Sequence, residues 1–532
     1  MRRIAAVLAV PVAALAVTVG VAAHASELDF THVPTANPKA PGLAPPNRLS
    51  PELAEIVSAQ GSMTLENPDG VVKYYGYLDD GRPMVPALGS NVEAQKTEPD
   101  KNAYLVFKDG LKGADPAYDY GQRFLFQGHE AGTPGYVTRI NLDADSDHRV
   151  TLLADKTSAG VAMKTIDGIT WDPWAERLLV TNEGGSTGAV YQLTTEPGGP
   201  VDDISGQLGR AGWEGIQNDN RGNLYLVEDT GGANGTGANA RARRPNSFVF
   251  RFLPSDPSDL KQGGELQALQ VIVNGTPLVF GPTADGDINA PGYLALHQYG
   301  TSYPTKWVTI ATTTASSPLP GPDANALAKA AGATPFKRPE NGVFRPGSKF
   351  TEFFFDETGD TDNRTSAAAS GGFGAIFWLD QSPKSDDGRI RVFYNGDQEH
   401  SAFDNTTFFS EDKIAFVEDA GDTLHQQRNG LDSAWLFDVG KDYSDPAVKP
   451  IRFIAEGRDV AATIDSGLSG APGFTNDGDN EITGIHVSDG DPSKGGILGA
   501  KTPQPFKSNG KWRAFWTQQH GDNITWELIA AP

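Results

Sequence analysis

Four stretches of this chain repeat one pattern: an acid, a short strand, a polar turn, an apolar strand, and a second acid. They are "DGITWDPWAERLLVTNE" (Asp167–Glu183), "EGIQNDNRGNLYLVE" (Glu214–Glu228), "ENGVFRPGSKFTEFFFDE" (Glu340–Glu357) and "DNTTFFSEDKIAFVE" (Asp404–Glu418). Each is followed by a further apolar strand: "GAVYQL", "SFVFRFL", "GAIFWLD" and "SAWLFDV". Weaker copies are "RFLFQGHEAGTPGYVTRINL" (Arg123–Leu142) and, at the end, "NDGDNEITGIHVSDGD" with "RAFWTQQHGDNITWEL". Five or six antiparallel units that cannot bury both faces alone predict an all-β chain, a β-propeller, in which neighbours cover one another. An ordinary β-sandwich with coincidental hairpins is the competing reading.

In a propeller the first strand of every blade starts near one end of the central channel. Acids at equivalent positions then converge on one axis although they lie far apart in sequence. Like charges in contact there repel by ~4 kcal/mol per pair at an effective dielectric near 20. Such a cluster demands cations or protonation. The candidate ligands are Glu130, Asp167, Glu183, Glu214, Glu228, Asp229, Glu340, Glu357, Asp404 and Glu418, with Asn405 and Asp419 beside them. An oxygen-only set suits hard cations, calcium above all. Any single member also reads as an ordinary solvated loop acid.

Composition narrows the chemistry. The 532 residues contain no cysteine, so disulfides, thiolate nucleophiles and sulfur-bound metals are excluded. A net charge of −23 argues against a nucleic-acid partner and suits bivalent cations or plain solubility. No zinc-type histidine spacing and no G-x-S-x-G nucleophile elbow occurs. His129 and His520 read as hydrogen-bonded core or loop residues. Arg338, in "KRPE", lies two residues from Glu340 and on the same side of a strand. It is positioned either to hold a phosphoryl group beside cations or to pair with a neighbouring carboxylate.

The expected organisation is a signal peptide over 1–25, an N-terminal arm and first strands over 26–100, and the propeller over 101–532. Arg2 and Arg3, the apolar run Ile4–Val21 and Ala23-His24-Ala25 form the three parts of a secretory signal, with a membrane anchor as the alternative. No later segment is apolar enough to span a bilayer. "DANALAKAAGA" (Asp323–Ala333) is a short helical insertion. The expected mature protein is secreted and monomeric.

Four segments, "FLFQGHEAG", "DGITWDPWAERLLVTNE", "KRPENGV" and "FWTQQHGDN", resemble, in order, segments of the secreted PhoX-type alkaline phosphatases. The resemblance implies a six-bladed propeller with iron and calcium in its channel and a small phosphorylated substrate. It implies Glu130, Glu183, Glu214 and Glu340 as metal ligands and Arg338 as the phosphate contact. Asp167 departs from the pattern, because the family has an iron-binding cysteine there. Calcium therefore remains as the expected metal, and Fe3+ is placed in doubt. The expected function is metal-dependent phosphomonoester hydrolysis. The alternatives are a non-catalytic calcium-stabilised propeller serving as a binding or scaffold module, and another propeller hydrolase of phytase or lactonase type.

Overall fold

The computed structural model describes residues 28–39, 46–84, 92, 94–130, 133–457, 481–507, 510–520 and 523–532. The expected signal peptide lies outside the described residues.

The chain folds into antiparallel four-stranded units arranged as propeller blades. Blade I is Pro99–Val106, Arg123–His129, Tyr136–Asn141 and Val150–Ala154. Blade II is Ile166–Asp172, Arg177–Asn182, Val190–Leu193 and Val201–Asp203. Blade III is Trp213–Asn218, Leu224–Glu228, Val249–Pro254 and Gly264–Val273. Blade IV is Gly342–Phe344, Glu352–Glu357, Ala375–Gln381 and Asp387–Asn395. Blade V is Phe403–Phe408, Lys413–Glu418, Ser433–Asp438 and Ile451–Ala455. Blade VI is Glu481–Ser488, Arg513–Gln519 and Ile524–Ala530, completed by Leu53–Ala59. Four of the units are separate sheets. Blades III and IV are fused by Tyr303–Thr312, which pairs with the outer strand of each.

The ring closes in two ways. The first strands of successive blades touch one another in a full circuit, blade VI returning to blade I. Leu53–Ala59 also pairs with Ile524–Ala530, so chain ends far apart in sequence share one blade. Arg48–Leu49 extends blade V. Part of the expected N-terminal arm is thus built into the propeller.

Strand alternation explains why the blades stack. Successive residues of a strand point to opposite faces, so neighbours in sequence enter different cores. Leu178 packs between blades I and II, and Leu179 between II and III. Phe353 faces blade III and Phe354 faces blade V. Phe515 faces blade I and Trp516 faces blade V. Burial on both faces is why these strands read as near-continuous apolar runs. The expected helix forms over Ala324–Ala330, capped by Asp323, whose side chain accepts from Ala326 N.

Candidate metal centre

The blade register sets out the channel. The first residue of the inner strand pairs with the last residue of the second strand in five blades: Pro99 with His129, Ile166 with Asn182, Trp213 with Glu228, Phe403 with Glu418, and Glu481 with Gln519. Immediately beyond that pair the ladder shifts register in the first four of these blades, and one pair later in blade VI. A bulge re-aims the residue it contains; it begins at Asp100, Asp167, Glu214 and Asp404 in the first four, and at Thr483 in blade VI. The residue after the second strand lies at the same end of the blade: Glu130, Glu183, Asp229, Thr358, Asp419 or His520.

Carboxylates from four blades meet as a consequence. Ligand oxygens of Asp100, Glu130 and Asp167 lie within 4.8 Å of one another. So do those of Asp167, Glu183 and Glu214, and those of Glu214, Asp229 and Glu340. Shared members link the three groups into one run of seven acids. Close packing enforces the run: a Cβ on Gly168 would stand 2.3 Å from the carbonyl oxygen of Glu214. Only glycine lets the inner strands of blades II and III approach so closely. Thr181 Oγ1 donates to the same carbonyl at 2.6 Å.

These acids stand in a poor environment for charge. Burial first, and neighbouring carboxylates second, push Glu130 and Glu214 well above the usual carboxylate range. Burial likewise raises Asp100 and Glu340, with Asp167 and Asp229 respectively as the first charges against them. Burial lifts Asp167 to about 6 and Glu183 to about 8. Asp167 lies against Glu214 and Glu183 against Glu130, carboxyl pairs whose repulsion a shared proton would relieve. Asp404 faces the same channel, where burial and then Asp100 and Glu340 raise it.

The donor set fits divalent cations. It offers oxygen alone, it is crowded with like charge, and Asp229 Oδ1 is buried with no hydrogen-bond partner among the described residues. Cations would replace the shared protons. The set does not fit an iron–thiolate bond, since no cysteine exists.

Four expected ligands do not join these groups: Asp404, which faces the channel, and Glu228, Glu357 and Glu418. Glu228, Glu357 and Glu418 each end a second strand, so alternation turns them away from the acids of the channel. Glu228 accepts from Asn325 Nδ2, Thr230 Oγ1 and Phe248 N. Glu357 accepts from Lys337 N at 2.8 Å and lies 3.0 Å from His297 Nε2. Glu418 accepts from Ser401 N and Ser433 N and pairs with Arg428. All three hold their blades together. Asp100, conversely, was missed: the leading acid and the strand after it are present in "PDKNAYLVF", but a long loop separates them from Glu130. His129 sits in the core, its ring nitrogens 3.1 Å from Thr97 Oγ1 and 2.9 Å from Thr138 Oγ1.

Arg338 stands at the Glu340 end of the run. Its Nε donates to Asp229 Oδ2 at 2.7 Å, and its Nη2 lies 3.5 Å from Glu340 Oε1. Both readings of this residue are therefore compatible with its position, because 17 % of the side chain stays exposed. Its φ of +58° is a left-handed conformation that costs a non-glycine residue energy. Thr358 N bonds its carbonyl and helps hold it there.

A model of the alkaline phosphatase PhoX family matches residues 200–432. Among solved structures, the chain resembles Pseudomonas fluorescens PhoX in complex with vanadate, at 13 % identity and a TM-score of 0.53, over 95 % of this chain and 98 % of that one. A gluconolactonase from Xanthomonas campestris gives 9 % identity and a TM-score of 0.37, over 94 % and 100 %. No curated protein matches the chain in sequence. Among the described residues, no helix is long and apolar enough to cross a membrane. The family match takes in Glu214, Asp229, Arg338 and Glu340 together, and the resemblance legible in the sequence is thereby that of a PhoX-type alkaline phosphatase.

Proposed function

We propose that this protein is an exported, calcium-dependent phosphomonoesterase whose reaction centre is the carboxylate run and Arg338. The observation that carries the reading is the contact of Arg338 with Asp229 and Glu340, which sets a guanidinium at the edge of a seven-acid cluster. The family match and the propeller fold support a phosphatase-type hydrolase.

Asp100, Glu130, Asp167, Glu183, Glu214, Asp229 and Glu340 would hold the cations. Bound calcium would polarise the phosphoryl oxygens and lower the pKa of an attacking water. Asp229 and Glu340 hold the Arg338 guanidinium, whose remaining N–H donors meet the phosphoryl oxygens. That fork suits charge that builds up on equatorial oxygens during in-line displacement. The channel walls keep bulk water from competing for those donors.

The test is hydrolysis of a chromogenic phosphomonoester with calcium, and again after chelation. Vanadate, the transition-state analogue bound by the solved PhoX, is the inhibitor to use. Turnover that depends on calcium and is blocked by vanadate supports the reading. No turnover with any divalent metal overturns it. The missing cysteine favours one other reading, a non-catalytic propeller. Its signature is a large loss of thermal stability on chelation with no turnover at all.

A further inference from the structure

Lys101 is a fixed cation inside the acidic channel. It lies on the inner strand of blade I, directly after Asp100, and its side chain is buried. Its Nζ donates to Asn341 Oδ1. Asn341 leads into the inner strand of blade IV, three blades around the ring, so the contact spans the channel from one wall to the opposite one. Asn341 in turn packs on Gly215, where an added Cβ would come within 2.6 Å of its Oδ1. Asp100, Asp356, Asp167 and Asp404 are the carboxylates that act on it.

A lysine here is costly unless its charge is used. A buried ammonium is stable only when opposite charges and hydrogen bonds replace its water. The side-chain amide of Asn341 and the oxygen Asp356 Oδ2 are also buried, and neither Asn341 Nδ2 nor Asp356 Oδ2 has a hydrogen-bond partner among the described residues. Asp356 Oδ1 is already engaged by Asn341 N at 2.9 Å and by Glu340 N at 3.3 Å.

We propose that Lys101 Nζ takes the place of a metal ion at the inner end of the carboxylate run, neutralising Asp356 and Asp404 and closing the channel against Asn341. The inference rests on the cation-binding reading of the run. It adds that the number of ions bound is set by the chain's own lysine.

Three consequences separate it from a merely structural lysine. Lys101→Gln removes the charge at similar length, and leaves Asp356 and Asp404 to recruit a replacement. Lys101→Arg keeps the charge. Lys101→Gln combined with Asp356→Asn removes one positive and one negative charge together.

The experiment is elemental analysis of calcium per chain after equilibration with calcium and desalting, with a melting curve for each variant. Lys101→Gln is expected to hold one ion more than the wild type and to melt with a steeper calcium dependence. Lys101→Arg and the double variant are expected to match the wild-type ion count. Equal ion counts in the wild type and Lys101→Gln would overturn the proposal while leaving the cation cluster intact. A wild type with no bound cation would overturn both. If Lys101→Gln does not fold, recovery of folding in the double variant supports the charge-replacement role. A double variant no more stable than the single one overturns it.

Discussion

Arg338 Nε lies 2.7 Å from Asp229 Oδ2, joining a residue that leads into blade IV to the residue that leaves the second strand of blade III. The bond fixes one edge of the guanidinium, and Nη2 stands 3.5 Å from Glu340 Oε1. Arg338→Ala is expected to lower kcat for phosphomonoester hydrolysis by about 10²-fold or more, the usual loss when a preorganised donor to the transition state is removed. Arg338→Lys should recover little, because an ammonium cannot engage Asp229 and a phosphoryl group with one planar fork. Calcium content, measured by elemental analysis, should stay at the wild-type level in both. An Arg338→Ala enzyme with unchanged kcat would confine this residue to ion pairing.

The protonation of the cluster gives a pH signature. Asp167 is raised from 3.8 to about 6 and Glu183 from 4.5 to about 8, burial being the main cause. A carboxyl with a higher pKa folded than unfolded costs nothing below its unfolded pKa. Its penalty grows with pH until it is complete above the folded value. In the presence of chelator, the melting temperature is therefore expected to fall as the pH rises from about 4 to about 8. Calcium should flatten that fall, since it binds the ionised, folded site. A melting temperature independent of pH over this range, with chelator present, would show that these acids are not buried together.

Glu228 and Asp229 offer the sharpest internal contrast. They are adjacent, and alternation sends them to opposite sides of one strand end. Asp229→Asn removes a member of the Glu214–Asp229–Glu340 group and the partner of Arg338. It is expected to weaken calcium binding and hydrolysis together. Glu228→Gln leaves both near wild type and lowers stability by roughly 1–3 kcal/mol, because a buried hydrogen-bonding group loses matched partners. Calorimetric calcium titration of the two variants checks this.

That contrast also marks what the sequence could reveal. The repeating acid–strand–turn–strand–acid pattern made the propeller and most of the run legible, since Glu130, Asp167, Glu183, Glu214, Asp229 and Glu340 all carry the pattern locally. The pattern could not say which of two consecutive acids faces the axis. That depends on where the second strand ends its pairing and on alternation at that end, a feature of the ladder and not of the local pattern. Glu357 and Glu418 fall outside the three carboxylate groups for the same reason. Asp100 and Lys101 were hidden differently: the loop from Phe107 to Gln122 stretches the first repeat beyond the spacing of the others. Asn341 has no signal of its own, because its role exists only when blade I stands opposite.

Gly168 tests the packing behind the site. A methyl group there would meet the Glu214 carbonyl at 2.3 Å, and backbone cannot yield as a flexible side-chain tip can. Gly168→Ala is expected to cost about 1–3 kcal/mol, typical of overpacking. It should also displace Glu214 from Asp167, so calcium affinity should drop along with stability. A variant that is destabilised yet binds calcium as tightly as the wild type would separate the close approach from the geometry of the ligands.

The closure of the ring sets the final expectation. Leu53–Ala59 supplies the outer strand of blade VI, running from Leu53 opposite Ala530 to Ala59 opposite Thr525. Without it the edge of Ile524–Ala530 is left unpaired, and an open, apolar strand edge recruits other chains. The ring also loses the covalent tie that makes its first and last segments one blade, so blades I and VI are free to separate. A chain beginning at Ser26 is expected to melt in a single transition. One beginning at Gly61 is expected to aggregate or to lose its cooperative transition, and to lose calcium binding as well. That second loss follows from geometry: Asp100 and Glu130 belong to blade I, at the seam, while Glu214 and Glu340 lie farther round the ring. Differential scanning calorimetry with and without calcium distinguishes the outcomes, and a Gly61 chain with an intact, calcium-sensitive transition would show that the first strands of the blades close the ring unaided.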